Sequence, residues 1–438
     1  MTVSEALLVL ASAAVVRGLP VRRGGRVTAF DGSVVEAAGL EALVGSRARI
    51  GAAPQMAEVI GFRDDRALLL GLSPLTGIAP GAGVIVETDD GMIAVGDGLL
   101  GRVIDGLGQA IDGRGPVLTK TRRALRGSTL GPADRLSVIA PLATGVRAID
   151  GLLTLGRGQR VGIMAGTGVG KSVLLGQMAR WAAADVVVMA LIGERGREIT
   201  DFIDRELIGD VRDRTVTIAV PADEAPLLRV RGAESAFAIA EYFRGQGRHV
   251  LLILDSLSRV VHGARDVAMA RGEAMGPRGY PASAIGLIAR LAERAGGDRR
   301  SGGAITAICT VLAEAGEGEN DPVVDAARGV LDGHILLSRR LAGRGQFPAI
   351  DLGASASRVM ADVCSAAHLA AAARFRRLCA IIDDNRDLVL MGAYAPGSDA
   401  ELDAALALAP ALEAYRGQAR ADQVGFGAAA AALMALMA

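Results

Sequence analysis

Residues 165–172, AGTGVGKS, combine a glycine-rich turn with a lysine and a serine. Glycines at 166, 168 and 170 let backbone N–H groups approach phosphate oxygens with no Cβ in the way, and the start of a following helix adds positive potential. In such a loop Lys171 reaches the β- and γ-phosphates, and the Ser172 hydroxyl holds Mg²⁺. The pattern therefore predicts binding of ATP with Mg²⁺, through Gly166, Thr167, Gly168, Val169, Gly170, Lys171, Ser172 and Val173.

The flanking residues support this interpretation. An apolar run, Val161 to Met164, precedes the turn, and a helical pattern follows from Val173. Strand, glycine-rich loop and helix is the order that a phosphate-binding loop requires. Ala165 replaces the first glycine of the strict motif. The alternative is a helix that merely follows a glycine-rich turn, but a Lys-Ser pair there has no packing purpose.

A carboxylate follows the next predicted strand. The unbroken apolar run from Asp185 to Ile192 is typical of a strand that is buried on both faces of a parallel sheet, and Glu194 follows it after Gly193. Ligands of open α/β sheets bind at the carboxyl ends of the strands. Glu194 could polarise the water that attacks the γ-phosphate, or it could be an ordinary acidic residue at a helix start. The spacing alone leaves both roles open.

A second carboxylate, Asp255, ends the apolar run His249 to Leu254. A strand-end aspartate downstream of a phosphate-binding loop is placed to hold Mg²⁺ through its water. Thr215 to Val220 and Ala304 to Val311 supply further strands. We therefore predict an α/β core with a largely parallel sheet and helices between the strands.

Two later residues have types that suit a nucleotide site. Phe347 precedes a proline turn and could stack on the adenine. Arg358 follows the small residues Ser355 to Ser357. It is a candidate for the phosphate of a neighbouring subunit, or an ordinary surface arginine.

Composition limits the alternatives. A chain of 438 residues predicts two or three domains. Its 48 basic and 48 acidic residues balance, which argues against nucleic acid as the main ligand. The three cysteines are widely spaced and indicate neither a disulfide framework nor a zinc site. Residues 6–16 are apolar but follow Glu5 rather than a positively charged leader, so we expect a cytoplasmic protein.

The rest of the chain predicts two flanking regions. Residues 1–20 form a short apolar helix that either packs on its own barrel or docks a partner. Short β-like runs with Gly, Pro and Asp between them then predict a small all-β barrel: Gly25–Phe30, Ala57–Ile60, Ala67–Leu70 and Gly83–Glu87. Residues 101–113 predict a hairpin, and the basic residues 120–126 a solvated connection. Helical periodicity returns after Val363, at 366–382, 401–415 and 423–438.

Seven stretches together resemble the family of flagellar protein-export ATPases, which is related to the type III secretion ATPases and to rotary ATP synthase subunits. They are TGVRAIDGLLTLGRGQR, AGTGVGKSVLLGQMAR, LIGERGREITDFI, HVLLILDSLSR, LDGHILLSRRLA, FPAIDLGASASR and NRDLVLMGAYAPGSD. The resemblance covers about residues 22–410. It implies an N-terminal helical segment (1–21), a β-barrel (22–95), a RecA-like P-loop ATPase domain (96–362) and an all-helical C-terminal domain (363–438).

The resemblance also implies roles for single residues. Lys171 and Ser172 are phosphate and Mg²⁺ ligands, and Glu194 is the catalytic carboxylate. The other implied site residues are Asp255 as the Walker B residue, Arg195 and Arg259 near the γ-phosphate, Phe347 stacked on adenine where the family usually has tyrosine, and Arg358 as an arginine finger acting on the adjacent subunit.

The implied function is ATP hydrolysis by a homohexamer that energises export of flagellar proteins at the cytoplasmic face of the inner membrane. The implied partners are the stalk and central-shaft proteins of the export apparatus, the export gate and chaperone–substrate complexes. Nucleic acid is not among them. The sequence departs from the family in its short apolar N-terminus and in residues 425–431, so stalk binding and substrate recognition are not assigned to these ends.

Four alternatives remain to be compared. A virulence-type secretion ATPase shares all the motifs above. A catalytic rotary ATP synthase subunit would carry a dense acidic motif that is missing from residues 366–438. A RecA-like RNA translocase would need exposed aromatics in its barrel, where residues 22–95 contain only Phe30 and Phe62. A non-hydrolysing scaffold would not need Lys171, Glu194 and Asp255 together.

Overall fold

A computed structural model describes residues 24–51, 55–88, 91–127, 129–313 and 321–438. The predicted N-terminal helix lies outside the described residues. The chain forms two compact units. The first comprises the described residues up to Met92 with 225–227 and 266–274, and the second comprises the remainder. The predicted boundaries at 95/96 and 362/363 stay predictions.

The first unit contains a closed antiparallel barrel of six strands in the order β1-β2-β5-β4-β3-β6. Its core is small and aliphatic and includes Val35, Ala48, Val59 and Leu69. The predicted barrel is confirmed, although β2 and β3 were not predicted. The strands are β1 (Gly24–Phe30), β2 (Val34–Ala38), β3 (Arg47–Ile50), β4 (Gln55–Arg63), β5 (Arg66–Gly71) and β6 (Gly83–Thr88).

The second unit is built on a ten-stranded mixed sheet. Its path is β20-β19-β13-β18-β16-β14-β15-β8, and β17 and β10 join it beside β18. The strands that follow the barrel are β7 (Met92–Val95), β8 (Val103–Ile104), β9 (Thr121–Ala124), β10 (Arg135–Leu136), β11 (Pro141–Leu142), β12 (Leu155–Gly156), β13 (Arg160–Ala165), β14 (Val186–Ile192), β15 (Thr215–Val220), β16 (His249–Asp255), β17 (Gly296–Asp298), β18 (Ala304–Leu312), β19 (Gly333–Leu337) and β20 (Ile350–Ser357).

The helices pack around this sheet and form the C-terminal region. They are α1 (Arg147–Leu152), α2 (Lys171–Trp181), α3 (Gly196–Glu206), α4 (Asp210–Asp213), α5 (Pro226–Gly245), α6 (Leu257–Ala270), α7 (Ala282–Ala292), α8 (Pro322–Val330), α9 (Arg339–Gly343), α10 (Met360–Val363), α11 (Ala366–Asp384), α12 (Arg386–Leu390), α13 (Ala400–Arg416) and α14 (Phe426–Leu436). Every residue of β14 and β16 is buried, as their unbroken apolar runs predict.

The parallel order of the central strands determines where the site forms. Strands β13, β18, β16 and β14 are mutually parallel neighbours, so their carboxyl ends lie at one edge of the sheet. Strand β20 is antiparallel to β19 and therefore runs back to the opposite edge. The predicted largely parallel sheet and the helical C-terminal region are both confirmed.

The basic segment 120–126 is largely exposed, as its sequence predicts, but it is also tied to a neighbouring helix. Part of it is β9, and Arg123 and Arg126 donate hydrogen bonds to Glu241 and Glu234 of α5. Glu241 is fully buried and also accepts a hydrogen bond from Arg294. A buried carboxylate without a cation is strongly destabilising, so the segment is held against the helix by these ion pairs.

The hairpin predicted at 101–113 is present, but its two arms are joined by a single bridge. Ile104 and Ala110 make an antiparallel bridge, while β8 also pairs with β15 of the main sheet.

Within the described ranges no helix is long and apolar enough to cross a membrane. Those residues also contain no group of three or more His, Cys, Asp or Glu side chains arranged to hold a metal ion.

The C-terminal helices dock on α1 through a close approach at Gly151. A Cβ at this position would overlap the hydroxyl of Tyr415, which donates a buried hydrogen bond of 2.8 Å to the carbonyl of Ala429. His368 Nε2 lies 2.7 Å from the Gly151 carbonyl oxygen. One glycine therefore allows α1, α11 and α13 to pack together.

We expect Gly151→Ala to lower the free energy of unfolding by about 1–3 kcal/mol, because the new methyl group displaces Tyr415. In a Tyr415→Phe background the same change should cost less, since the overlapping oxygen is gone. Urea unfolding of the four proteins in this cycle measures the difference. An equal cost of Gly151→Ala in both backgrounds would contradict this packing.

Candidate active site

The glycine-rich loop connects β13 to α2 at the carboxyl edge of the sheet. Gly170 directly precedes α2 and has a φ of +86°, a conformation that favours glycine. Helix α2 begins at Lys171, so its free N–H groups face the loop. The Ser172 side chain is exposed, and its hydroxyl is accessible to a ligand.

Lys171 is the centre of the site. Its Nζ donates hydrogen bonds to Asp255 Oδ1 at 2.5 Å and to Glu194 Oε1 at 3.0 Å. All three side chains are largely buried, with exposed fractions of 15% for Lys171, 16% for Glu194 and 4% for Asp255. The structure thus brings together the three residues that the sequence identified as the main candidates.

The charge of Lys171 is stabilised by its surroundings. Burial by itself lowers the pKa of this ammonium group, but the negative charges of Asp255 and Glu194 outweigh burial and raise the pKa above its usual value. Lys171 therefore remains protonated and can bind an anion at any ordinary pH.

The order of the strands explains why these side chains converge. In the register of the sheet Leu191 lies opposite Asp255, and Leu254 lies opposite Cys309. Thr310 follows Cys309, and its hydroxyl donates a hydrogen bond of 2.6 Å to Asp255 Oδ1. Thr310 was not predicted as a site residue. The run Ala304 to Val311 contains two hydroxyls, Thr306 and Thr310, and the sequence reveals neither which of them faces the site nor which strand is the neighbour.

The two predicted γ-phosphate arginines lie in different environments. The aliphatic part of Arg259 packs against Gly193, directly before Glu194, and its Nε is buried without a hydrogen-bond partner in the described structure. Arg195 is 86% exposed and lies 3.8 Å from Glu198. Arg259 therefore lies beside the backbone that leads to Glu194, whereas the Arg195 side chain lies on the surface, and the roles of both stay predictions.

A cavity of about 740 Å³ lies beside the loop and has mostly apolar walls. Gly170 packs against the ring of Phe347, since a Cβ there would lie 3.2 Å from two ring atoms. Phe347 is 44% exposed, which leaves its ring accessible from the cavity. The other wall comes from the C-terminal region, so the cavity is lined by Gly168, Gly170, Val173, Leu174, Gln177, Gly345, Gln346, Phe347, Pro348, Glu413, Gly417, Gln418, Ala419 and Arg420.

Arg358 lies at the opposite edge of the sheet from Lys171. Its backbone N–H donates to Asp332, whose N–H donates to the carbonyl of Arg160, the first residue of β13. Lys171 lies six residues beyond Ala165, the last residue of β13, and a strand of this length spans about 20 Å. The exposed guanidinium of Arg358 donates to the Arg328 carbonyl at 3.0 Å. Arg358 therefore cannot reach the phosphates bound by its own subunit.

Remaining features of the loop agree with anion binding. Thr167 accepts a hydrogen bond of 3.2 Å from Arg339, which adds positive charge beside the glycine-rich turn. Oxygen donors for a divalent cation are present in the exposed Ser172 hydroxyl and the Asp255 carboxylate.

Comparison with known families agrees with this geometry. Residues 145–357 match the model of the ATP synthase alpha/beta family, nucleotide-binding domain. Residues 364–435 match the C-terminal domain of the type III secretion ATPase EscN. The two matches cover the loop, both carboxylates, the cavity wall and the C-terminal helices.

Individual relatives cover nearly the whole chain. The flagellum-specific ATP synthase of Pseudomonas aeruginosa is 46% identical over 94% of this chain and 93% of the relative. The type 3 secretion system ATPase of Xanthomonas euvesicatoria is 42% identical over 91% of this chain and 90% of the relative. The structure of assembled EscN from enteropathogenic E. coli superimposes with a TM-score of 0.89 at 39% identity, covering 94% of this chain and all of that one.

The sequence identities to these relatives extend over nine-tenths of each chain. In this chain, the structure also brings Lys171, Glu194 and Asp255 together at a glycine-rich loop. The chain is therefore an ATPase that belongs to the ATP synthase alpha/beta family, among the flagellum-specific and type III secretion ATPases.

Proposed function

We propose that this ATPase works as a ring of identical subunits, with each ATP held between two of them, and that hydrolysis energises export of flagellar proteins through a type III apparatus. The observation that carries the proposal is the position of the two charged groups. Lys171 and the carboxylates lie at one edge of the sheet, and Arg358 lies at the other. A site that uses both needs two copies of the chain.

Binding of ATP begins with an exchange of partners at Lys171. Phosphate oxygens accept charge-assisted hydrogen bonds from an ammonium group as carboxylates do. When the β- and γ-phosphates occupy the loop, Lys171 turns to them and releases Glu194. The free carboxylate then orients and polarises the water that attacks the γ-phosphate.

Mg²⁺ fits the oxygen donors at this site. Ser172 presents an exposed hydroxyl and Asp255 a carboxylate, and Mg²⁺ usually takes one or two protein oxygens and keeps several waters. The ion would neutralise charge between the β- and γ-phosphates. Thr310 fixes the orientation of Asp255 toward that position by its hydrogen bond.

The adenine base occupies the cavity of about 740 Å³, with its face on the Phe347 ring. Phenylalanine provides the same stacking surface as tyrosine and lacks only the hydroxyl. In the ring, Arg358 of the adjacent subunit completes the site by stabilising charge on the transferring phosphoryl group. Arg259 and Arg195 act nearby on the γ-phosphate.

Partners follow from the relatives. A solved complex pairs EscN with its central stalk EscO, and it superimposes on this chain with a TM-score of 0.88 at 39% identity. We propose that a stalk and central-shaft protein, the export gate and chaperone–substrate complexes engage this ring at the cytoplasmic face of the inner membrane.

A flagellum-specific protein from Salmonella typhimurium is 48% identical, and the virulence-type relative is 42% identical. We propose the flagellar apparatus on the two highest of these identities, 46% and 48%, both with flagellum-specific proteins, and virulence-type secretion as the second candidate.

Arg358→Ala should lower kcat by about a thousandfold, because the charge that stabilises the transition state is lost. The specific activity of the wild type should rise steeply with protein concentration, since isolated subunits lack a complete site. Arg358→Lys keeps the charge without the planar fork and should give an intermediate rate. A specific activity that does not depend on concentration and survives Arg358→Ala would contradict the shared site.

Glu194→Gln should lower turnover by at least about a hundredfold, because the amide cannot polarise the attacking water. It should leave ATP affinity nearly unchanged, since the phosphate cradle and the Lys171–Asp255 pair remain. Equilibrium titration with a fluorescent ATP analogue measures the affinity. If the variant loses ATP binding together with activity, Glu194 is a structural residue and not the water-activating one.

A further inference from the structure

We propose that Glu206 and Arg420 form a positioning pair that sets the wall of the base cavity and thereby the affinity for the adenosine part of ATP. The inference rests on the proposed binding of ATP in this cavity. Neither residue belongs to a recognised motif of the site. Glu206 is the last residue of α3, and Arg420 lies in the segment that follows α13.

The Glu206 carboxylate joins two different parts of the structure. Its side chain is only 4% exposed. One oxygen accepts a hydrogen bond from Arg180, on the helix that begins at the phosphate-binding loop, and the other accepts one from Arg420. Each oxygen thus binds one arginine, so the buried charge is fully compensated.

The approach of Glu206 to α2 depends on Gly176. A Cβ at position 176 would overlap the Glu206 carboxylate. The acid therefore sits directly against the helix that carries Lys171. Helix α3 itself starts two residues after Glu194, so the pair is connected by secondary structure to both the phosphate loop and the water-activating residue.

Residues 417–420, which we call the wall segment, form the side of the cavity contributed by the C-terminal region. Its two ends are anchored differently. At the first end the Gly417 carbonyl accepts a hydrogen bond from Arg147, and the Gln418 side chain bonds to the Arg147 N–H at 2.7 Å and to the Gly145 carbonyl at 2.8 Å. The Gln418 N–H donates 2.9 Å to the Phe347 carbonyl, and Gln177 donates to the carbonyls of Ala419 and Arg420 at 3.3 and 3.5 Å. These last two are long hydrogen bonds, whereas the bond to Glu206 is charge-assisted and so roughly twice as strong.

Two different groups of residues therefore contact the phosphates and the base. The phosphate cradle belongs to the loop and α2, while the position of Ala419 and Arg420 at the cavity wall depends on the bond between Arg420 and Glu206. Releasing Arg420 should widen the cavity and weaken contacts to the base, and it should leave contacts to the phosphates in place. A merely structural role would weaken both together or lower stability.

The test compares two ligands in the full chain. Arg420→Gln should raise KM for ATP by about tenfold, the usual effect of losing one charge-assisted hydrogen bond, with kcat at saturation unchanged within about twofold. The inhibition constant of inorganic triphosphate, which has phosphates and no base, should not change. Because Arg180 still pairs with Glu206, the variant keeps a compensated carboxylate.

The matched control is Arg377→Gln, which breaks an ion pair with Glu401 between two exposed side chains. It should change neither constant. Arg420→Lys should recover part of the ATP affinity. An unchanged KM in Arg420→Gln, or equal losses of affinity for ATP and triphosphate, would overturn the pair's role. Calorimetric titration of ATP separates this from failure of the proposed function, because it measures binding even if no turnover occurs.

Discussion

A single ammonium group, Lys171, compensates two carboxylates that the parallel sheet brings to one edge. Burying Glu194 and Asp255 without it would cost several kcal/mol, because an uncompensated buried charge is strongly unfavourable. The loop conformation, the start of α2 and the order of the strands all serve to place these three groups within hydrogen-bonding distance. In the mechanism that we propose, Lys171 exchanges one of these carboxylates for a phosphate when ATP binds.

The second constraint is the distance between the two edges of the sheet at which the parallel strands begin and end. Strand β20 returns the chain to the edge opposite the phosphate loop, and Arg358 follows its last residue. In the ring that we propose, each subunit therefore contributes the phosphate loop to one site and Arg358 to the next. Heterologous contacts of this kind close into rings when the rotation allows it. In that proposed ring, turnover therefore depends on assembly.

Much of this arrangement could be predicted from the sequence. The fully apolar runs of β14 and β16, followed by Glu194 and Asp255, indicated buried parallel strands with carboxylates at their ends. Thr310 could not be predicted, because its contact with Asp255 depends on which strands are neighbours. The contacts of Glu206 could not be predicted either, since its partners lie far away in the sequence. Short-range patterns report periodicity and turns, whereas pairing across the sheet is decided by packing.

If one active site is made by two subunits, mixing two inactive variants should restore activity. Glu194→Gln supplies an intact Arg358, and Arg358→Ala supplies an intact Glu194. If rings form at random from an equal mixture, about one quarter of the interfaces combine both intact groups, and activity should return to about that fraction of the wild-type rate. A mixture that stays as inactive as its components, while still assembling into rings, would contradict the shared site.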